Sequence, residues 1–289
     1  MANTILTPDI IAREALMVLR NNAVMANLVH RDYSEDFVGA VGDTITVRKP
    51  ATFVADEYAG SINVQDATES AVSVVMNKHL DVSFAVTSKQ MTMDISDFSK
   101  QLLEPAMQAF ADKIDKMLIA LESEATSRHA HTDGVIAPAD LIAARKFLTA
   151  KAAPLTDRRF VVGADAEADL LGNELFVSAE KVGDAGTALR EASLGRKFGM
   201  DCYVDQNIAK NGNYTPSIAF HKNAMALVTR PLALPQGAAK SAIMNYDGFG
   251  LRVVYGYDIN TKTDTISIDM LCGVKLLDDN LIAVVADNR

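Results

Sequence analysis

The chain has no tryptophan, few aromatic residues, only two cysteines and no long apolar run. An aromatic share of 6% leaves few platforms on which single-stranded bases stack. Cys202 and Cys272 are far apart and neither belongs to a Cys-x-x-Cys pair, so we predict free thiols rather than a redox motif or a zinc site. No apolar run approaches the ~18 residues of a membrane-spanning helix, and the first residues lack a signal-peptide pattern. These absences predict an intracellular protein without membrane contact.

Basic residues are also in the minority, with 28 against 37 acidic residues and a formal net charge of −9 over 289 residues. Proteins that grip nucleic-acid phosphates by counterion release are basic, so a DNA-binding surface of that kind is not expected. The apolar share of 49% argues against a disordered chain. A chain of this length and composition can bury one large core or two smaller ones.

The clearest positive signal is a helical stripe between residues 97 and 125. Apolar residues recur there every three or four positions, which places them on one face of a helix roughly 40 Å long. Pro105 cannot donate an amide to the preceding turn, so we predict a short leading turn and a main helix that opens at Pro105. Asp112 and Asp115 alternate with lysines, which is typical of a solvated helical face. The stripe itself needs a partner surface and points to assembly.

Two further segments have no evident partner nearby in the sequence. Thr7, Pro8 and Asp9 are typical of the start of a helix, and the apolar face that follows has no adjacent helix to cover it. Alternating strands are predicted at residues 42–47 and 72–86, and the stretch between them is longer than the usual loop of a compact domain. We interpret the helix as an arm that packs elsewhere. The loop is either disordered alone or ordered by a neighbour.

The middle of the chain has a mixed pattern of helices and strands, and the tail is mainly β. The fold class is therefore α+β. In the middle region we predict helices at 138–148 and 166–171, and strands at 159–163, 201–204 and 217–229. In the tail we predict a long hairpin from residues 251–257 and 263–273, followed by a strand at 281–285.

Candidates for chemistry are few. The only local set of potential metal ligands is His129, His131 and Asp133, next to a predicted turn, and a solvated loop is favoured over a metal site. Residues 195–199 lack the Lys-Ser/Thr of a phosphate-binding loop and precede a strand, so a structural turn is predicted there. No nucleophile motif such as Gly-x-Ser-x-Gly occurs. We therefore predict no catalytic, cofactor-binding or metal-binding residue. An enzyme of the mixed region, with the three residues above as its metal site, is kept as an alternative.

Several segments, taken in order, carry a resemblance to a known family. They are VGDTITVRKP at 41–50, residues 72–87, PAMQAFADKID at 105–115, LGRKFGMDCYV at 194–204, AFHKNAMALVTRP at 219–231, and residues 252–273. Their order and spacing resemble the major capsid (coat) proteins of tailed bacteriophages with the Hong Kong 97 fold. The branch that looks closest is the Salmonella podophage coat-protein family. The chain is shorter than those proteins and leaves no room for an inserted domain between residues 203 and 218.

The resemblance implies an organisation of six segments. They are an N-terminal arm (1–35), an extended loop with its flanking strands (36–94), a peripheral-domain spine helix (95–135), a mixed axial domain (136–240), a long peripheral-domain hairpin (241–272) and a C-terminal strand that returns to the axial domain (273–289). In this arrangement the arm and the loop complete neighbouring subunits. The predicted subunit contacts are accordingly Ile11, Leu16, Leu19, Phe53, Tyr58, Ile62 and Val64.

The function implied is that of a non-enzymatic major capsid protein, which assembles into pentamers and hexamers of an icosahedral phage head around double-stranded DNA. The implied partners are further copies of the chain, a separate scaffolding protein, a portal, and packaged DNA bound without sequence specificity. The implied location is the virion, after assembly in the host bacterial cytoplasm. An encapsulin-like compartment shell around a cargo enzyme is the alternative within the same fold.

Overall fold

Two β-sheets and one long helix organise the chain. The computed structural model describes residues 8–31, 44–49, 53–58, 60, 62, 64, 66, 70–87, 99–131, 134–177, 192, 194–210, 214–237, 240–246 and 249–287. Within these ranges no helix combines the length and the apolar content that crossing a membrane requires. The mixture of helices and sheets confirms the α+β class.

The helices in chain order are α1 (Pro8–Asn22), α2 (Met25–Leu28), α3 (Glu104–Ala120), α4 (Pro138–Ala150), α5 (Ala164–Leu171) and α6 (Glu174–Val177). A π-helical turn, Ser99–Leu103, leads into α3, and a 3-10 turn, Leu121–Glu124, follows it. Pro105 lies in the first turn of α3, at the boundary with the π-helical turn, to which it has no amide to donate. The predicted leading turn and main helix are therefore confirmed.

The strands are β1 (Thr44–Lys49), β2 (Ser70–Val75), β3 (Lys78–Thr87), β4 (Arg128–His131), β5 (Arg158–Val162), β6 (Arg196–Lys197), β7 (Met200–Val204), β8 (Thr215–His221), β9 (Met225–Arg230), β10 (Lys240–Tyr246), β11 (Phe249–Asp258), β12 (Thr263–Leu276) and β13 (Ile282–Asp287). They form a two-stranded ribbon of β1 and β2, an antiparallel sheet in the order β10–β11–β12–β3 with β9 also on β12, and a mixed sheet in the order β4–β13–β8–β5–β7–β6. The predicted hairpin is β11 and β12, and the predicted last strand is β13.

One predicted strand is wrong. The run 217–229 forms β8 and β9, separated by the 3-10 turn Lys222–Ala224. The two strands belong to different sheets, because β8 pairs with β13 and β5 whereas β9 pairs with β12. Both are almost fully buried, so the sequence shows one continuous apolar run where the chain passes from one sheet to the other.

The apolar stripe of α3 lies in the main core together with one face of the five-stranded sheet. Leu103, Met107, Phe110, Ile114 and Leu118 are at most 2% exposed, which confirms the predicted periodicity. Helix α1 packs against α3, β10 and β11 and contributes to the same core. A second core lies on one face of the six-stranded sheet, under α4 and α5. The stripe that pointed to assembly is thus covered within the chain.

Candidate assembly surfaces

A β-ribbon carries the long loop away from the five-stranded sheet. Strands β1 and β2 pair antiparallel from Thr44 opposite Val75 to Lys49 opposite Ser70. At its base, Val74 is fully buried in a small cluster with Ala226 and Val228 of β9. Burial decreases outward along the ribbon, since Val72 is only half-buried. The ribbon is therefore held at one end and projects at the other.

Gly273 of β12 lies against the segment, Val75 and Met76, in which the chain crosses from the ribbon into the sheet. A Cβ atom at position 273 would lie 2.3 Å from the carbonyl oxygen of Val75 and 3.1 Å from the Cα of Met76. Both of these neighbours are backbone atoms, which cannot move aside as a flexible side chain does. The close approach therefore requires glycine, and it fixes the direction in which the ribbon leaves the sheet.

We expect Gly273→Ala to destabilise the protein by about 1–3 kcal/mol, because the added methyl group overlaps the backbone of the crossing segment. Chemical unfolding in urea measures this free energy. Gly237→Ala is the matched control, since a Cβ atom there has no neighbour within 4 Å. Equal free energies of unfolding for the two variants would contradict the role assigned to the crossing point.

An ion-paired cluster joins the three strands next to the ribbon. Asp269 of β12 is 4% exposed and accepts a hydrogen bond of 2.9 Å from Nε of Arg252 on β11. Nε2 of His79 on β3 lies 3.3 Å from the same carboxylate. The hydrogen bonds to Asp269 raise the pKa of Arg252. The Arg252–Asp269 ion pair and the contact of His79 with the same carboxylate support the register of β11, β12 and β3, and β3 follows the ribbon in the chain.

The predicted loop contacts are exposed apolar side chains. Phe53 is 63% exposed, Tyr58 74%, and Ile62 and Val64 80% each. Val54, which the sequence-based set omitted, is 69% exposed. Large apolar side chains grouped in one segment and left in water are unusual for a protein that functions as a monomer. Their assignment as subunit contacts stays a prediction.

The predicted arm contacts lie elsewhere. Ile11, Leu16 and Leu19 are 1%, 4% and 0% exposed, and all three belong to the main core of their own chain. The expectation that the apolar face of α1 has no cover within the chain is therefore wrong. The apolar face of α1 is covered by α3 and the five-stranded sheet. These elements lie far along the sequence, so the residues next to α1 give no sign of them. In this conformation the three side chains have no surface to offer a neighbouring subunit.

A second exposed apolar pair was missed by sequence reasoning. Tyr257 and Ile259, at the tip of the β11–β12 hairpin, are 55% and 75% exposed. The turn closes on Asp258, whose carboxylate accepts hydrogen bonds from the backbone amide of Asn260 and the hydroxyl of Thr261. These bonds lower the pKa of Asp258. The sequence contained a signal for this pair, because two apolar residues lie on either side of a polar turn residue, Asp258.

A buried polar network joins the 3-10 turn after α3 to the six-stranded sheet. Glu122 is 1% exposed, and its carboxylate accepts hydrogen bonds from Arg128 at 2.7 Å and from the hydroxyl of Tyr214 at 2.8 Å. Burial opposes the charge of Arg128, but the bonds to Tyr214 and Glu122 outweigh it and raise the pKa of Arg128. The network fixes how the helical layer meets β4 and β8.

The candidate metal ligands do not form a metal centre in the described part of the chain. Nε2 of His129 lies 3.0 Å from the carboxylate of Asp140, which also accepts the amide of Ala137 at the start of α4. The side chain of His131 and the whole of Asp133 lie outside the described residues. Among the described residues no group of three or more His, Cys, Asp or Glu is placed to hold a metal ion. Residues 195–199 contain the short strand β6 and the turn at 198–199 that leads into β7, so the predicted structural turn is confirmed.

Comparison with solved structures identifies the architecture. A structure from Mycobacterium phage Che8 matches with a TM-score of 0.68 at 19% identity, covering 91% of this chain and 90% of that chain. The mature capsid of bacteriophage PhiM1 matches with a TM-score of 0.58 at 10% identity, covering 84% and 82%. The chain has a phage capsid fold. It is the Hong Kong 97 fold predicted from the sequence.

The same architecture occurs outside phage heads. A virus-like particle from Pyrococcus furiosus matches with a TM-score of 0.54 at 11% identity, covering 96% of this chain and 98% of that chain. No family model matches the sequence, and a search of curated proteins gave no significant match. The Hong Kong 97 fold is thus assigned from three-dimensional similarity over nearly the whole chain.

Proposed function

We propose that the chain is a major capsid protein, which assembles into pentamers and hexamers of an icosahedral phage head enclosing double-stranded DNA. The observation that carries the proposal is the exposed apolar loop, on a fold shared with phage capsids. Burying these side chains against a second copy would remove apolar surface from water at roughly 25 cal/mol per Å². Several such contacts per subunit stabilise a closed shell although each is modest.

The six segments predicted from the sequence give this proposal its geometry. The loop and its ribbon reach a neighbouring copy, with Phe53, Tyr58, Ile62 and Val64 as contacts. The hairpin tip, with Tyr257 and Ile259, supplies a further apolar contact between copies. The five-stranded sheet with α3 would form most of the peripheral domain, and the six-stranded sheet most of the axial domain. Two strands cross the predicted bounds, because β9 of the axial segment lies in the five-stranded sheet and β4 of the spine segment lies in the six-stranded sheet. The relation to the Salmonella podophage branch is part of the proposal and is supported by the order of the sequence segments.

The remaining partners follow from the same role. A separate scaffolding protein and a portal would act in assembly in the host cytoplasm, and the finished protein would reside in the virion. The net charge of −9 is suited to an inner surface that encloses DNA without sequence-specific binding. We propose no catalytic activity, in keeping with a structural role.

The proposal is tested by expressing the chain alone, concentrating it and imaging the product by negative-stain electron microscopy. Closed particles or capsomer rings are expected, because the exposed apolar segments favour association at high concentration. If only monomers appear, the chain is co-expressed with the scaffolding protein of the same gene cluster. Monomers under both conditions would contradict the proposal.

An encapsulin-like compartment is the second candidate, favoured by the similarity to the Pyrococcus furiosus particle. The two candidates differ in what the shell encloses. Terminase and portal genes beside the coding sequence would support a phage head, whereas a single neighbouring gene for a cargo enzyme would support a compartment.

A further inference from the structure

A group of buried carboxylates lies where the N-terminal arm meets the spine helix and the six-stranded sheet. Asp115 of α3 and Asp205, which follows β7, are 0% and 1% exposed. Asp112, one turn before Asp115, accepts a hydrogen bond from the side-chain amide of Asn207. We call Asp112, Asp115 and Asp205 the carboxylate clasp. Asp115 and Asp205 are desolvated and Asp112 beside them is half-buried, so the group is costly when all three are ionised.

The clasp holds the arm directly. One carboxylate oxygen of Asp115 accepts the backbone amide of Val24 at 2.8 Å, and the other accepts the amide of Ala26 at 3.1 Å. These amides belong to the segment that opens α2, 91 and 89 residues away along the chain. The sequence interpretation of Asp115 as part of a solvated helical face is therefore wrong. Its side chain is a polar link between the arm and the spine helix.

One carboxylate oxygen in the clasp accepts no hydrogen bond from the described residues. Oδ1 of Asp205 accepts the backbone amide of Asn207 at 2.8 Å. Oδ2 of Asp205 is buried and has no hydrogen-bond partner among the described residues. A buried carboxylate oxygen without a donor is costly when ionised and is relieved when it carries a proton.

We propose that the carboxylate clasp is proton-linked, so that it holds the N-terminal arm on the spine helix more tightly in acid than at neutral pH. The charged groups that act on it are its own three carboxylates and Lys116, which lowers the pKa of Asp205. The uncharged donors are the amides of Val24 and Ala26 and the amides of Asn207. The proposal concerns the single chain and does not rest on the proposed function.

The titration behaviour supports this arrangement. Burial raises the pKa of Asp115 from 3.8 to about 7; the amide of Val24 lowers it, and the nearby charges of Asp205 and Asp112 add to the rise. Burial also raises the pKa of Asp205. A carboxylate freed from the clasp regains an ordinary pKa near 4. The docked arm then binds more protons than the released arm, so docking weakens as pH rises from about 4 to about 7 and changes little above that.

Amide hydrogen exchange of the intact chain tests the clasp, because it reports the opening of each segment separately. Exchange times are scaled to the intrinsic rate at pH 5 and pH 7.5. We expect the protection of the peptide containing Val24 and Ala26 to fall at least about tenfold between these pH values. Peptides from β12 are expected to keep their protection, because β12 lies outside the clasp.

Two variants separate the clasp from general effects of pH. Asp205→Asn removes one titrating carboxylate and its charge beside Asp115, so the fall in protection is expected to be at least about twofold smaller than in the wild type, while the burial of Asp115 preserves the rest. Asp165→Asn, on the exposed surface of α5, is the control and should behave as the wild type. Protection of the arm peptide that does not change with pH in the wild type would overturn the proposal. So would an Asp205→Asn profile identical to that of the wild type.

Discussion

Deleting residues 55–66 is expected to give a stable monomer that does not form shells. The deletion removes Tyr58, Ile62 and Val64, which are 74–80% exposed, and leaves the ribbon base around Val74 intact. Residues 50–54 and 67–69 remain to connect β1 and β2, which is long enough for a hairpin loop. Exposed segments contribute little to the stability of the single chain, so circular dichroism and the melting temperature should stay close to those of the full-length protein.

The measurement is light scattering after size-exclusion chromatography, together with negative-stain images, under conditions in which the full chain assembles. Tyr58→Ser combined with Ile62→Ser and Val64→Ser should lose assembly as well, because the loop keeps its length but loses its apolar surface. Glu57→Ser, at another exposed loop position, is the matched control and should assemble normally. Shells of normal size from the deletion variant would exclude the loop as an assembly contact.

Local pattern was sufficient for the elements whose period is regular. The spacing from Leu103 to Leu118 follows one helical face, and the structure buries that face. The predicted hairpin also follows from local pattern, since its strands alternate on both sides of a polar turn. In these segments the apolar positions follow from their near neighbours, which a sequence displays directly.

The features that the sequence did not predict depend on contacts between residues far apart in the chain. The break between β8 and β9 depends on Ile218 pairing with Val284 in one sheet and Val228 pairing with Gly273 in the other. Asp115 follows Ile114 of the buried stripe, and only contact with Val24 distinguishes it from a solvated acid. Partners 66 or 91 residues away leave no local signature.

The same limit applies to the candidate surfaces. The length of the segment between β1 and β2 identified the loop, because such a long connection is unusual within a compact domain. The cover of α1 was missed because it is remote in sequence, and the assignment of its apolar face as a subunit contact stays a prediction. An apolar face that contacts a neighbouring subunit and one that is covered by a remote part of the same chain look alike in the sequence, and only the three-dimensional structure distinguishes them. Substitutions on α1 test which description applies to that helix.

Replacing Leu19 with Asp is expected to disrupt the fold of the single chain, and not its assembly alone. Leu19 is 0% exposed, so the variant loses its apolar packing and places a carboxylate in the main core. Losing a buried leucine costs about 2–5 kcal/mol, and an unpaired buried charge adds to this. The sum is a large part of the roughly 5–15 kcal/mol that stabilises a typical protein.

Met17→Asp is the control that distinguishes α1 as a core helix of its own chain from α1 as a contact between subunits. Met17 lies on the same helix but is 66% exposed, so the substitution should change the free energy of unfolding by no more than about 0.5 kcal/mol. Urea unfolding of the two variants as monomers measures the difference. If Leu19→Asp unfolds like the wild type yet fails to assemble, α1 must leave its own core in the shell, and its apolar face is a subunit contact after all. If Leu19→Asp is strongly destabilised and Met17→Asp is not, α1 is a core helix whose contribution to a shell is indirect, through the position in which it holds the spine helix.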